Sequence, residues 1–149
     1  SPTGNGEANI LESNSYTYTS FGDLETRIVD DKTYGHQEYE YSYRDDNTLQ
    51  ESVRTSVDLN GRPRTDHYYY DELELTSRLV ITVGDYVSDY VEFFEDGEPK
   101  RAETYYKGFL YEIVEWNEDG RMIIQKGEKM EAGQKPADPL KERYRRNKK

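Results

Sequence analysis

The residue types best suited to chemistry are few in this sequence, and they are not grouped. It contains two histidines, His36 and His67, and no cysteine, which excludes disulfides, thiolate metal sites and cysteine nucleophiles. Neither histidine has a further ligand residue at a zinc-like spacing. The sequence also lacks a glycine-rich phosphate loop and a nucleophile elbow. We therefore predict no catalytic residue, no metal site and no cofactor, and we expect that the protein is not an enzyme.

Acidic pairs recur along the chain, and carboxylates are the ligands that calcium prefers. The pairs are Asp30-Asp31, Asp45-Asp46, Asp71-Glu72, Glu95-Asp96 and Glu118-Asp119. None lies in a segment that matches an EF-hand loop. Two carboxylates facing each other across a cleft would suit a glycosidase, but no spacing in the sequence indicates such a cleft. We interpret the pairs as solvated turn residues that also oppose edge-to-edge aggregation.

Tyrosine is the residue type most open to a functional interpretation, because the chain has 15 of them and tyrosine is favoured at interfaces. The predicted binding residues are Tyr41, Tyr43, Tyr68, Tyr69, Tyr70 and Tyr106. If Asn60-Gly61 closes the hairpin between them, a ladder across neighbouring strands is expected, as a core layer or as an exposed platform for a protein or a glycan, from Tyr39, Tyr41, Tyr43, Tyr68 and Tyr70. Tyr69 and Tyr106 are expected to lie off the core-facing register.

An aromatic residue that ends a strand-like run recurs five times, at spacings of 25, 27, 23 and 23 residues. The five anchors are Tyr18, Tyr43, Tyr70, Phe93 and Trp116. Four residues after the anchors come Gly22, Asn47, Glu74, Gly97 and Gly120, which suit a turn with positive φ in every copy except the third. Two residues before each anchor stands Tyr or Val, so each pair occupies one face of a strand.

This repeat predicts a mainly β fold, an antiparallel meander of about ten strands built from five repeated hairpins, as an open curved sheet or a barrel. The strands are expected near 15–20, 24–30, 37–43, 48–58, 65–70, 75–83, 86–94, 100–106, 109–116 and 121–126. We predict a flexible segment at 1–13, a repeat domain at 14–127, and a linker with a basic tail at 128–149. In that tail Asp138 and Pro139 favour the start of a short C-terminal helix, the alternative being an extended tail.

The motif Tyr-x-Tyr, a polar turn, Gly and Leu resembles the tyrosine-aspartate (YD) repeats of rearrangement-hotspot and teneurin-type proteins. The segments that carry the resemblance are 16–24 and 41–49, whereas 91–99 and 114–122 also resemble MORN-type repeats. The similarity spans roughly residues 15–126. It implies a scaffold or binding role, since long arrays of this family form shells around cargo and shorter ones occur in surface and presumed immunity proteins. It implies no catalytic residue.

Charge is distributed unevenly along the chain. The net charge is −11, whereas residues 135–149 carry seven basic and two acidic residues, which leaves −16 for the remainder. An acidic body repels phosphates, so nucleic acid is expected as a partner only through the tail. Within the tail, Arg143, Arg145 and Arg146 are the predicted docking residues. No apolar run is long enough for a transmembrane segment, and the start at Ser1 is compatible with a processed exported or organelle-imported protein.

These observations favour a non-enzymatic binding or scaffold protein whose aromatic sheet surface contacts a protein or a glycan. One alternative is an accessory subunit of a large complex, for example an organellar one, that docks through its C-terminal arm. Another is a small-ligand barrel of the lipocalin kind, because ten antiparallel strands are enough to close.

Overall fold

The chain forms ten β-strands in a computed structural model that describes residues 12–127. The strands are β1 (Glu12–Tyr18), β2 (Leu24–Asp31), β3 (Gly35–Tyr43), β4 (Leu49–Val57), β5 (Pro63–Tyr70), β6 (Thr76–Val83), β7 (Tyr86–Phe93), β8 (Pro99–Tyr106), β9 (Phe109–Trp116) and β10 (Met122–Gly127). No helix occurs in this range. The predicted mainly β fold is confirmed, and the C-terminal helix expected after Asp138 lies outside the described residues.

The strands form one antiparallel sheet in strict chain order. Each strand pairs with the next one along the chain, and β1 does not pair with β10. Of the two architectures left open by the repeat, the structure therefore has the open sheet. The closed barrel that a lipocalin-like ligand site requires is not formed, because within residues 12–127 neither β1 nor β10 has a strand on its outer side.

Every aromatic anchor is followed by the same turn. In the first copy the Thr19 amide donates to the Asp23 carbonyl, and the Gly22 amide donates to the Thr19 carbonyl. The position four residues after the anchor has positive φ in all five copies: Gly22 88°, Asn47 67°, Glu74 63°, Gly97 92° and Gly120 83°. The third copy thus keeps the backbone of the others, although glutamate fits this region poorly.

One face of the sheet holds the core, and we call it the core face. Leu79, Val91, Ala102 and Val114 lie directly opposite one another on β6 to β9, and all four are buried. The anchors Phe93 and Trp116 form the next row toward the turns and belong to the same cluster. Val91 is 0% exposed. The opposite side, which carries Glu92, Arg101 and Glu115, is called the outer face.

The core face changes from polar to apolar along the sheet. The row that contains Val91 begins with Tyr41, Ser52 and Tyr68 on β3 to β5 before it reaches Leu79 on β6. On β1 the equivalent aromatics, Tyr16 and Tyr18, are exposed. The apolar cluster is therefore concentrated in the C-terminal half of the sheet, whereas the N-terminal half has a mixed aromatic and charged surface.

The expected tyrosine ladder across neighbouring strands is not formed. Tyr39, Tyr41 and Tyr43 lie on β3, whereas Tyr68 and Tyr70 lie on β5. Strand β4 runs between them, because Asn60-Gly61 closes the β4–β5 hairpin rather than a hairpin between the two tyrosine strands. Rings stack only along each strand, with centroids 6.4 Å apart for Tyr39 and Tyr41 and 6.4 Å for Tyr68 and Tyr70.

Candidate binding surface

The acidic turn residues are used to hold the turns themselves. Asp71 Oδ1 accepts the amides of Leu73 and Leu75, each at 2.9 Å. Asp31 and Asp46 likewise accept backbone amides two or three residues further on. Within residues 12–127, no group of three or more His, Asp or Glu side chains converges in a way that would hold a metal ion. These bonds indicate that the acidic turn residues have a structural role.

The two histidines form separate pairs with carboxylates. His36 Nδ1 lies 2.7 Å from Asp30 and Nε2 lies 3.2 Å from Glu38 on an exposed part of the sheet. These hydrogen bonds, with Asp30 first, raise the pKa of His36 above 6.5. His67 Nε2 lies 3.2 Å from Glu51. Each histidine has only carboxylate and tyrosine contacts among the bonds that the structure shows, so both fit an ordinary sheet-surface role.

Side chains at the Tyr43 anchor and in the turns beside it connect one repeat to the next. The Tyr43 hydroxyl donates to the Leu24 carbonyl at 2.6 Å, which joins β3 to the start of β2. Beyond the anchor, Arg44 donates to the carbonyls of Tyr70 and Asp71 in the following repeat. In the opposite direction, the Glu74 carboxylate of the following repeat accepts the Leu49 amide at 2.7 Å. Tyr43 is therefore a half-buried structural residue rather than an open platform.

Tyr41, Tyr68 and Tyr70 lie half-buried on the core face. Tyr68 packs against the apolar cluster, and the Tyr70 hydroxyl bonds Ser52 at 2.8 Å. Burial raises the pKa of all three hydroxyls. These rings continue the core toward β3, and they present little free aromatic surface to a partner.

A buried carboxylate organises the charged part of the core face. Asp66 on β5 is 3% exposed and accepts Nε of Arg64 at 2.8 Å. The Arg54 guanidinium approaches it at 3.6 Å and also donates to Gln37 at 3.0 Å. Because a buried charge is costly unless paired, this cluster belongs to the architecture of the sheet.

Tyr69 lies on the outer face, as its parity predicts. Its ring stacks on His67 with centroids 4.2 Å apart, and the Arg78 guanidinium lies 3.9 Å from its centroid. The row continues through Glu92 and Arg101 to Glu115 on β9, so opposite charges alternate from β6 to β9. Both sides of the Tyr69 ring are thereby occupied by side chains of the same sheet.

Among the predicted binding tyrosines, all of which lie within the described range, Tyr106 is the exposed one, and it lies on a different face from the expected one. The Tyr105 hydroxyl donates to Glu103 on the outer face, so the next residue, Tyr106, points to the core-face side. It sits beyond the core at the β8–β9 hairpin and is 67% exposed. The parity argument was wrong here because it placed Tyr105, rather than Tyr106, on the core-facing register.

Three exposed rings lie at this end of the core face, and we call them the rim patch: Tyr86, Tyr106 and Phe109. Tyr106 and Phe109 face each other across the β8–β9 hairpin. Tyr86 comes from the neighbouring β6–β7 hairpin, and its ring lies against Gly108 so closely that a Cβ there would be 3.0 Å from Cδ1. Phe109 is 79% and Tyr86 is 53% exposed. Sequence reasoning missed Tyr86 and Phe109, which lie outside the repeated anchor motif.

The predicted tail residues Arg143, Arg145 and Arg146 lie outside the described residues, so their docking role stays a prediction. In the part of the chain that the structure describes, no helix is long and apolar enough to cross a membrane. No protein family matches the chain, and no curated protein matches it at a significant level. The likeness to YD and MORN repeats therefore remains a resemblance of motifs.

Proposed function

We propose that this chain is a non-enzymatic binding module that uses the rim of its open sheet to contact a protein partner. The observation that carries the proposal is the rim patch, where three large rings from two adjacent hairpins are exposed together. Scattered exposed apolar residues are normal on a soluble protein, but a contiguous group marks an interaction surface.

The surroundings of the patch favour a protein partner over a glycan. Val83, which is partly exposed and lies opposite Tyr86 on β6, adds aliphatic area beside the rings. Aromatic residues mixed with aliphatic ones are typical of the centre of a protein interface. Three of the tyrosines predicted to bind, Tyr43, Tyr69 and Tyr70, are engaged by contacts within the sheet and are not free to stack on sugars.

Crosslinking of the full-length chain in an extract from its native source tests the proposal. Lys107 provides a reactive amine beside Tyr106, with Nζ 5.5 Å from the ring centroid. We expect wild-type protein to form a reproducible crosslink from Lys107 to one partner. The double variant Tyr106→Ser/Phe109→Ser should lose it and keep the wild-type circular dichroism spectrum.

The matched control is Phe21→Ser/Leu73→Ser, which removes two equally exposed apolar side chains from the turns at the other end of the sheet. This variant should retain the crosslink. Recovery of the same partner by the Tyr106→Ser/Phe109→Ser protein, or loss of the partner by both variants alike, would overturn the assignment of the surface.

A further inference from the structure

One mostly buried glutamate beside the rim patch has a carboxylate without a bonded partner. Glu112 on β9 is 7% exposed, and no hydrogen bond or ion pair joins its carboxylate to another residue in the described range. Of the two other buried carboxylates of the described sheet, Asp66 is held by two arginines and Asp89 accepts the Ser88 hydroxyl. The Glu112 oxygens are not among the fully buried atoms of the described range that lack a partner, so the carboxylate stays accessible, and its partial desolvation favours pairing with a positively charged group from outside the sheet.

The strand register places Glu112 on the same face as the rim patch. Glu112 lies opposite Thr104 on β8, two residues from Tyr106, and Tyr106 lies opposite Phe109. Two residues along a strand span about 7 Å and return to the same face. The carboxylate and the exposed rings therefore form adjacent rows at one end of the core face.

The neighbouring edge strand leaves this position without a covering side chain. Gly127 on β10 lies opposite Glu112, and a Cβ at Gly127 would be 2.8 Å from the Tyr111 carbonyl. Any larger residue would clash with β9, so glycine brings the edge close without placing a side chain over the carboxylate. A second polar side chain on this part of β10, Gln125, also has a buried amide without a hydrogen-bond partner.

We propose that the rim patch and Glu112 form a docking site for an arginine or lysine side chain of a protein partner. The alkyl stem packs on the rings of Tyr106 and Phe109, and the cationic group reaches the Glu112 carboxylate. Long basic side chains combine an apolar stem with a charged end, and aromatic rings attract cations. The acidic body of the chain, with net −16 outside residues 135–149, attracts such a partner from a distance.

This inference rests on the proposed binding function and specifies its chemistry. The probe that we would use is the peptide acetyl-Ala-Arg-Ala-amide, followed through the ring proton signals of Tyr106 and Phe109 in the full chain. Its control is the same peptide with citrulline, a neutral isostere of arginine. We expect the arginine peptide to shift these signals and the citrulline peptide to bind at least about tenfold more weakly, as for loss of one charge-assisted hydrogen bond.

The variant Glu112→Gln should weaken arginine-peptide binding by roughly tenfold or more without lowering the melting temperature, because it breaks no bond within the sheet. Glu118→Gln removes an exposed turn carboxylate and should change affinity by less than about twofold. Phe109→Leu, at an exposed position, provides a second variant that keeps the fold and should also weaken binding. Equal binding of both peptides, or an unchanged affinity in Glu112→Gln, would overturn the proposal.

The chain's own basic residues are the competing occupant. Peptide binding that appears only after Arg143, Arg145 and Arg146 are all changed to Gln would assign the site to this chain and overturn the assignment to a partner. The two proposals also fail separately. If Glu112→Gln keeps the crosslinked partner while Tyr106→Ser/Phe109→Ser loses it, the proposed binding function is supported and the proposed contact between Glu112 and a cationic side chain is refuted.

Discussion

At the scale of single residues, positive φ is the strictest demand that the fold makes on the sequence. Most such positions hold glycine, but Asn47, Glu74 and Lys107 also adopt it. Glu74 has a compensating bond, since its carboxylate accepts the Leu49 amide of the preceding repeat. Lys107 makes only a surface contact with the Tyr106 ring. Lys107 is therefore the position where a better turn residue should stabilise the protein.

Lys107→Asn should raise the free energy of unfolding by roughly 0.5–1 kcal/mol, because Asn-Gly is the preferred pair for a hairpin turn with two positive φ angles. Urea unfolding followed by circular dichroism provides the measurement. Lys100→Asn is the matched control, because Lys100 also lies over a ring, that of Phe94 at 5.9 Å, but has negative φ. A gain in the control as large as that in Lys107→Asn would refute the backbone explanation.

Asp66→Asn should lower the free energy of unfolding by about 2–3 kcal/mol. The change leaves the guanidinium groups of Arg54 and Arg64 without their shared anion, which is costly on a partly buried surface. Both arginines retain solvent contact, so we place the cost below the full range for a buried pair. Asp45→Asn, in an exposed turn, should stay within about 0.5 kcal/mol. Similar losses in both variants would contradict the role of Asp66.

His36 should make stability depend on pH near neutrality. Its pKa is raised above 6.5 by the bonds to Asp30 and then Glu38. The histidine therefore stabilises the fold below its unfolded pKa, and this contribution is lost as the pH rises through the folded pKa. NMR titration of its ring protons should give a higher pKa in native protein than in concentrated urea. Asp30→Asn should reduce the difference, and identical native and unfolded values would rule out the interaction.

At the scale of the strands, the repeat predicts the elements closely. Each of the ten expected strands is present, with the largest displacement at β1, which spans Glu12–Tyr18 rather than 15–20. The agreement arises because turn chemistry is local: glycine or asparagine after an aromatic anchor defines where a strand ends. Even the degenerate third copy forms the same turn, since the alignment of its neighbours constrains it.

Surface and core could not be assigned from the sequence with the same success. Tyr106 was expected on the outer face, but it lies on the core-face side. Side chains of β8 alternate between the faces, and the buried residue on the core face is Ala102, which is too small to indicate from the sequence which face is buried. Tyr86 and Phe109 were not singled out, because their convergence depends on Gly108 allowing two hairpins to meet. Contacts between separate hairpins leave no periodic signal in a single sequence.

Phe93 tests the core at the element scale, since it joins β7 to the apolar cluster beside Trp116. Phe93→Ala should cost about 3–5 kcal/mol of unfolding free energy, the usual range for a large ring removed from a core. Trp116 is the only tryptophan, so its fluorescence reports the transition. Ile123→Ala, at an exposed site on β10, should cost under about 1 kcal/mol. A small loss in Phe93→Ala would mean that this row is not the core.

At the scale of the whole molecule, the account depends on a sheet that remains open. Each strand pairs only with its sequence neighbours in the described sheet, so we expect stability to depend on nearest-neighbour contacts, as it does in repeat proteins. Openness also explains why the rim patch is exposed, since no second layer within residues 12–127 covers that end of the core face. A closed sheet would instead enclose the core face and favour a ligand inside the barrel.

Residue-resolved amide hydrogen exchange of the full chain, with cross-strand nuclear Overhauser effects between backbone protons, tests this openness most directly. We predict cross-strand effects for the nine sequential pairs from β1–β2 to β9–β10 and strong protection in the central strands. The amides of β1 and β10 that have no strand opposite them should exchange fast. Cross-strand effects between β1 and β10, with protection along both strands, would show a closed barrel and contradict the account.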